Sequence, residues 1–194
     1  MNTYKIIDIK WILIADVHLN NETINDPLLD ILIQDLNDIR FLKYSILLVG
    51  DFLSAYYTIE KAWLFYPNLM EAIYQHPNVV YLRGNNDPYI SNYDKAVITI
   101  GKETWYIEHG HKLPSLICAI INLFKPRKTW RNIKRNKPIS KRKLELICKH
   151  YGSNTIIGHY HQGFFDTKNK FVILPPRQAV IFENIIKRNK FYVR

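Results

Sequence analysis

The sequence predicts an α/β sandwich in which helices cover a mixed β-sheet. Short runs rich in Ile and Val recur along the chain, each ends at a polar cluster, and helical stretches separate the first three. The order β-α-β-α-β followed by a strand-rich half is typical of this fold class. No linker or internal repeat divides the chain, so residues 1–194 are predicted to form one domain.

Eight segments are predicted to be strands because they combine apolar, mostly β-branched or aromatic residues with polar boundaries. They are Trp11–Ala15, Ser45–Val49, Val79–Leu82, Ala96–Ile100, Thr104–Ile107, Thr155–Ile157, Phe171–Leu174 and Ala179–Glu183.

Three segments are predicted to be helices. The first runs to Leu36, with Asp26 as its cap and Pro27 in its first turn. The second covers Glu60–Gln75, although the proline at position 67 suits a helix interior poorly. The third covers Ser140–Tyr151 and ends at Gly152, a typical C-terminal capping residue.

Composition excludes several classes of protein. Hydrophobic residues form 47% of the chain, which is enough to build a core and excludes intrinsic disorder. Cys118 and Cys148 are too few for a disulfide scaffold or a thiolate zinc site, so a metal would need His, Asp, Glu or Asn ligands. The apolar runs are too short to span a membrane and no signal peptide is visible. We therefore expect a cytoplasmic protein, at most peripheral on the inner face of a membrane.

The net charge of +10 is concentrated in one segment. Residues 125–143 contain ten Lys and Arg and no acidic residue, and the apolar run Leu116–Phe124 precedes them. Apolar residues beside clustered cations favour an acyl chain next to a phosphate, or a membrane surface, and a solvated surface is the plain alternative. The candidate substrate-binding residues of this segment are Arg127, Lys128, Arg131 and Arg135.

Potential metal ligands follow five of the predicted strands. The clusters are Asp16-Val17-His18, Gly50-Asp51, Arg83–Asp87, Glu108–His111 and Gly158–His161. Functional groups in open α/β sheets collect beyond the carboxyl ends of strands, so these clusters are expected to meet in one crevice. Taken singly, each residue is also explained as a cap, a turn residue or a hydrogen-bonded histidine. Together they predict a metal centre, and mixed Asp, His and Asn ligands suit Mn, Fe, Zn or similar ions.

In their order along the chain, these clusters resemble the signature of the calcineurin-like metallophosphoesterase superfamily. The resemblance covers residues 16–161 and implies a sandwich of mixed β-sheets with two divalent metal ions, first of all Mn, with Fe, Zn, Ni or Mg as alternatives. It implies that one ion is held by Asp16, His18, Asp51 and His161. It implies that the second is held by Asp51, Asn85, His109 and His159. The implied reaction is cleavage of a phosphodiester or pyrophosphate bond by metal-activated hydroxide.

One position departs from the family pattern. Where the superfamily most often has a histidine that protonates the leaving oxygen, this chain has Asn86, and a neutral amide cannot act as a general acid. Leaving groups that depart without a proton are therefore expected. The candidate catalytic residues are Asp51, Asn85, Asn86 and His111, and Arg83 and Asn86 are further candidates for substrate binding.

The long connection between the last two clusters bears on the substrate. Residues 112–143 are similar in character to the cap of the UDP-2,3-diacylglucosamine pyrophosphatases, and are predicted to be a cap insertion. The resemblance thus favours a UDP-diacylglucosamine-type lipid. A nuclease or nucleotide phosphodiesterase that binds nucleic acid through the basic segment is the alternative. A non-catalytic scaffold, like the retromer subunit with this fold, is a further one, and the oligomeric state is left open.

Overall fold

The computed structural model describes residues 2–110, 141–166, 168–183 and 185. The strands are β1 (Thr3–Ile6), β2 (Trp11–Ile14), β3 (Ser45–Val49), β4 (Val79–Leu82), β5 (Lys95–Ile100), β6 (Glu103–Glu108), β7 (Thr155–Ile157), β8 (Phe164–Asp166), β9 (Phe171–Ile173) and β10 (Val180–Ile181). The helices are α1 (Pro27–Leu36), α2 (Ile59–Phe65), α3 (Pro67–Tyr74) and α4 (Lys141–Tyr151).

The strands form two mixed sheets. The smaller sheet has the order β10-β2-β3-β4, in which β2, β3 and β4 are parallel and β10 is antiparallel to β2. The larger sheet has the order β1-β5-β6-β7-β9-β8, in which β6, β7 and β9 are parallel. The carboxyl ends of β2, β3 and β4 therefore share one edge, and so do those of β6, β7 and β9.

The two sheets stack face to face between helices. Leu13 and Leu47 of the smaller sheet share one buried cluster with Trp105 and Ile156 of the larger sheet. The outer face of the smaller sheet packs against α1, α2 and α3, and the outer face of the larger sheet packs against α4. The predicted α/β sandwich of mixed sheets flanked by helices is confirmed, with two sheets in place of one.

Continuous apolar runs are explained by this layering. Every residue of β2 and β3 is buried, because successive side chains point alternately into the inter-sheet core and into the core beneath the helices. β2 and β3, which lead to Asp16 and Asp51, are thus the most deeply buried strands of the smaller sheet.

Three local predictions differ from the structure. The helix predicted at Glu60–Gln75 is broken at Tyr66, whose φ of −131° and ψ of 48° are not helical, because Pro67 disfavours a helical residue before it and begins α3. The strand predicted at Ala179–Glu183 is reduced to Val180–Ile181. β1 and β8 were not predicted; both are edge strands, and each keeps several half-exposed residues.

Both predicted helix boundaries at α1 and α4 are confirmed. The Asp26 side chain accepts a hydrogen bond from the backbone N–H of Leu28 at 2.9 Å and caps α1. Gly152 follows α4 with a φ of 82°, and its N–H donates to the Cys148 carbonyl at 2.9 Å.

Most of the predicted cap insertion lies outside the described residues. This holds for His111 and for residues 112–140, including the candidate substrate-binding Arg127, Lys128, Arg131 and Arg135, whereas residues 141–143 begin α4. Within the ranges that are described, no helix is long and apolar enough to cross a membrane.

We predict that Leu32→Ala lowers the free energy of unfolding by about 2–5 kcal/mol, because it leaves a cavity where α1 packs on the sheet. Leu32 is fully buried, whereas its neighbour Ile31 is 44% exposed. Ile31→Ala is therefore the matched control and should cost less than about 1 kcal/mol. Urea denaturation followed by circular dichroism measures both, and equal losses would contradict the assigned packing of α1.

Candidate metal centre

The described residues of the five predicted clusters lie at or just beyond strand ends, and the structure brings three clusters together from the smaller sheet and two from the larger. The exits of β2, β3 and β4 contribute Asp16, Asp51 and Asn85, and the exits of β6 and β7 contribute His109 and His159. β5 intervenes between β4 and β6 in the chain, but it runs antiparallel to β6 and ends at the opposite edge. The five contributing strands are therefore not consecutive in the chain.

One group of potential ligands consists of Asp16, His18 and His161, whose ligand atoms lie within 4.8 Å of one another. The Nε2 atoms of His18 and His161 are 3.1 Å apart, and their rings stack at an interplanar angle of 14°. Oδ1 of Asp16 lies 3.8 Å from the His18 Nε2 and 3.6 Å from the His161 Nε2. Three ligand atoms thus face one small volume.

A second group consists of Asp51, His109 and His159. The His109 Nε2 lies 3.3 Å from Oδ2 of Asp51, 3.3 Å from the His159 Nδ1 and 3.2 Å from Oδ1 of Asn85. The other ring nitrogen of His109 donates to the Val49 carbonyl at 2.9 Å, which leaves Nε2 as the nitrogen that faces the group.

Asp51 lies between the two groups. Its Oδ2 is 3.7 Å from the His18 Nε2 and 3.3 Å from the His109 Nε2, so the same oxygen faces one histidine of each group. A hydrogen bond also joins the groups, since the backbone N–H of His159 donates to Oδ2 of Asp16 at 2.7 Å.

The geometry of these residues fits divalent cations. Ligand bonds of about 2.0–2.2 Å place neighbouring ligand atoms roughly 3–3.5 Å apart, close to the separations in both groups. Within the described parts of the chain, the buried Oδ1 of Asp16 has no hydrogen-bond partner although it faces two histidine nitrogens. A buried carboxylate oxygen without a donor is expensive, and a cation at that point would satisfy it.

The backbone at these residues is strained. Nine described residues other than glycine have a positive φ, and five of them are candidate ligands: Asp16, His18, Asp51, His159 and His161. The left-handed region costs free energy for residues with a side chain, and such strain concentrates at functional sites. Backbone hydrogen bonds hold the first two loops in place, because the N–H of Asp16 donates to the Gly50 carbonyl and that of His18 to the Asp51 carbonyl.

Two glycines make room for the ligands. A Cβ at position 84 would lie 2.0 Å from Oδ1 of Asp51 and 2.2 Å from its backbone nitrogen. Gly50 has a φ of 73°, and a Cβ there would lie 2.5 Å from the Cγ of His109. Any larger residue at either position would displace a candidate ligand.

Asp87 positions the Asp51 loop, a role that sequence reasoning did not assign. Its Oδ1 accepts hydrogen bonds from the backbone N–H groups of Asp51 and Gly84, and its Oδ2 accepts one from Leu53, each at 3.0 Å. The side chain is buried, so these bonds fix the loop from beneath. Its place at the end of the Gly-Asn-x-Asp cluster is the only signal in the sequence.

Asn86 contacts Asp51 through both its backbone and its side chain. The backbone N–H donates to Oδ1 of Asp51 at 2.9 Å, and the side-chain amide donates to Oδ2. Both carboxylate oxygens of Asp51 are therefore oriented by one residue.

Electrostatics differ between the two buried carboxylates. Burial raises the pKa of Asp16 to about 7, against the opposing effects of His109 and the His159 amide. Burial also acts to raise the pKa of Asp51, but the hydrogen bond and charge of His109 and the bonds from Asn86 hold it below its usual range. Burial lowers the pKa of His18 to about 4. Without a cation, the site therefore favours one ionised carboxylate, that of Asp51, over two.

A cleft of about 760 Å³ is lined by Arg177 and by five of the candidate ligands: His18, Asp51, Asn85, His159 and His161. Arg177 forms an ion pair with Asp26, and its Nε donates to the Val17 carbonyl at 3.1 Å. Sequence reasoning missed this cation, because it follows β9 by four residues and belongs to no recognised cluster. Arg83 is not part of the cleft lining: its Nε donates to the Ser91 carbonyl at 2.8 Å and its guanidinium lies 4.0 Å from Asp94.

No protein-family model matches the sequence, and no curated protein matches it. Among solved structures, a single mutant of Vps29 from Entamoeba histolytica matches with a TM-score of 0.45 and 15% identity, over 86% of this chain and 73% of that one. Wild-type Vps29 from the same organism, complexed with Zn²⁺, gives 0.43 and 16% over the same shares. A predicted phosphoesterase from Streptococcus pneumoniae gives 0.36 and 14%, over 95% of this chain and 97% of that one.

We predict that Gly84→Ala abolishes divalent-metal binding, because the added methyl group would push Asp51 away from the histidines of both groups. Gly101→Ala is the control: no atom lies within 4 Å of its Cβ position, and its φ of 61° should cost only about 1 kcal/mol of stability. Isothermal titration with Mn²⁺ measures binding and thermal unfolding measures stability. Unchanged affinity in Gly84→Ala would contradict the close approach to Asp51.

Proposed function

We propose that this chain is a dimetal phosphoesterase of the calcineurin-like metallophosphoesterase superfamily that cleaves a phosphodiester or pyrophosphate bond. The observation that supports it most strongly is the pair of three-residue groups that meet at Asp51 inside one cleft. One cation would be held by Asp16, His18, Asp51 and His161, and the other by Asp51, Asn85, His109 and His159. Mn²⁺ is our first candidate for both.

Two divalent cations in such a site polarise a phosphate, lower the pKa of water and neutralise developing charge. The residues of the chain supply orientation. Asn86 fixes both oxygens of Asp51, and Asp87 holds the backbone of the same loop, so the carboxylate that lies between the two groups has one position. The Nδ1 hydrogen bond to Val49 likewise fixes the ring of His109.

Arg177 is positioned to bind the substrate phosphate. Its guanidinium lines the cleft with His18 and His161, and Asp26 together with the Val17 carbonyl holds it there. A guanidinium that is already oriented loses little entropy when it binds a phosphate oxygen. We assign Arg177 to phosphate binding in place of a role for Arg83.

Substrate identity rests on sequence features outside the described residues. A UDP-diacylglucosamine-type lipid is our specific candidate, on the strength of the apolar and basic character of residues 112–143. A nucleotide phosphodiesterase is the second candidate. A cavity lined by the exposed Tyr56 and Tyr89, which adjoins the candidate metal centre, favours it. A scaffold would not need an ordered carboxylate between two groups of histidines. Metal-dependent turnover of a phosphate ester would therefore exclude the scaffold and leave the two enzyme candidates.

We predict that Asp51→Asn loses both metal equivalents and more than about a hundredfold in activity on an aryl phosphodiester, because Oδ2 of Asp51 faces a histidine of each group and would be a ligand of both cations. His161→Ala should lose one equivalent only, because His161 belongs to a single group. His150→Ala, an exposed histidine on α4, is the control and should keep two equivalents and full activity. Elemental analysis of protein purified with Mn²⁺ counts the ions.

This assignment would be wrong if Asp51→Asn kept two equivalents or full activity. If the unmodified protein bound two ions but turned over no phosphate ester, the scaffold interpretation would replace the enzyme.

Leaving-group chemistry provides another prediction. Asn86 donates to Asp51 and has no acidic proton, so an aryl diester or a pyrophosphate should be cleaved far faster than an alkyl monoester such as glycerol phosphate. Asn86→His should raise the monoesterase rate relative to the diesterase rate. Initial rates on the two substrate types measure the ratio, and an unmodified enzyme that cleaved both equally fast would contradict the prediction.

A further inference from the structure

A second cavity of about 520 Å³ adjoins the metal centre. It shares Ala55, Asn85 and Asn86 with the cleft that contains the candidate ligands. The rest of its wall consists of two turns, residues 56–60 before and within α2 and residues 87–90 after β4. A substrate held at Asp51 can therefore extend past Asn86 into this cavity.

Two tyrosines on these turns are fully available to a ligand. Tyr56 and Tyr89 both line the cavity, and each is 99% exposed. A buried tyrosine ring contributes to stability, but an exposed one contributes almost nothing to folding. Two exposed tyrosines among the lining residues of one cavity beside a candidate metal centre are typical of a binding surface.

The turn that carries Tyr56 is anchored to the first ligand loop. The Ser54 hydroxyl donates to the His18 carbonyl at 3.0 Å, and the N–H of Ser54 donates to the Leu19 carbonyl at 3.1 Å. The N–H of Tyr57 donates to the Ser54 carbonyl at 3.0 Å and closes the turn, with Tyr56 at a φ of 67°. The strained position of Tyr56 is therefore supported by hydrogen bonds from Ser54 to the backbone of the first ligand loop.

The turn that carries Tyr89 is anchored to the Asp51 loop. Asp87, at its start, accepts hydrogen bonds from the backbone N–H groups of Asp51 and Leu53. The N–H of Ile90 donates to the Asp87 carbonyl at 3.2 Å, so Tyr89 lies within a closed turn. Both tyrosine backbones are thus fixed relative to the candidate ligands.

We propose that this cavity binds the nucleobase of a mononucleotide ester whose phosphate lies at the metal centre, a proposal that rests on the function proposed above. Aromatic side chains stack on the faces of nucleobases, and each stacked base contributes substantially to binding. The exposed Glu60 carboxylate can accept from a ring N–H or an exocyclic amino group of a base. Glu60 and Asp87 disfavour a second anionic group, and the carboxylate of Glu60 disfavours an acyl chain.

The kinetic test compares two esters with the same leaving group. Thymidine 5′-(para-nitrophenyl) phosphate carries a base, and methyl para-nitrophenyl phosphate does not. We expect the thymidine ester to have a kcat/KM about ten- to a hundredfold higher, and Tyr56→Ala or Tyr89→Ala to remove most of this advantage. Neither substitution should change turnover of the methyl ester, because neither tyrosine belongs to the metal centre.

Matched variants separate stacking from other effects. Tyr56→Phe and Tyr89→Phe keep the ring and should keep the preference. Ile39→Ala removes a side chain that is 83% exposed and lines neither cavity, and should change nothing. An equal kcat/KM for both esters in the unmodified enzyme would overturn the proposal, as would a stronger preference for an octyl ester. If a decathymidylate strand competed more tightly than thymidine 5′-monophosphate, the ligand would be a nucleic acid strand and the mononucleotide assignment would be wrong.

A binding measurement that needs no turnover completes the test. In saturation-transfer NMR on the metal-free full chain, the base protons of thymidine 5′-monophosphate should receive saturation, and this should be lost in Tyr56→Ala and Tyr89→Ala. Ribose 5-phosphate should receive none above background. Saturation of the base without cleavage of any ester would overturn the proposed function and keep the subsite. Cleavage of both esters without saturation would overturn the subsite and keep the function.

Discussion

The placement of two buried carboxylates, Asp16 and Asp51, at the ends of neighbouring parallel strands is the constraint on which the site depends. Burying like charges next to each other is costly, and the chain offsets it with histidines from both sheets and with amide donors. Both residues have left-handed backbone, and the carboxylate oxygens of each lie close to histidine nitrogens. Stacking of the sheets, close contact of Gly84 with Asp51 and the buried Asp87 all support this arrangement.

Much of the fold was predictable because β2, β3, β7 and β9 are continuous buried runs that end at polar residues. The edge strands β1 and β8 were not, since half-exposed strands have no continuous apolar pattern. The five strand-end clusters could be found because each is local in the sequence. Asp87 and Arg177 could not, because their roles arise from contacts with residues far away in the chain: Asp51 for one, Val17 and Asp26 for the other.

The candidate metal centre and the tyrosine-lined cavity share their supports. Asp87 holds the Asp51 loop and begins the turn of Tyr89, and Ser54 bonds to the His18 carbonyl and begins the turn of Tyr56. A change in either support therefore displaces a candidate ligand and a wall of the cavity together. The proposed reaction and the proposed base recognition depend on the same two loops, so substitutions intended to separate them belong on the exposed tyrosine rings.

The chain distance across the site also determines when it can form. His18 and His161, whose ring nitrogens lie 3.1 Å apart, are separated by 143 residues, so their approach requires nearly the whole chain. During synthesis, the smaller sheet can pair β2 with β3 and β4 while the histidines that follow β7 are still absent. Both candidate groups can therefore be completed only after the larger sheet has docked. If they hold cations, metal uptake follows the docking of the two sheets and does not initiate it.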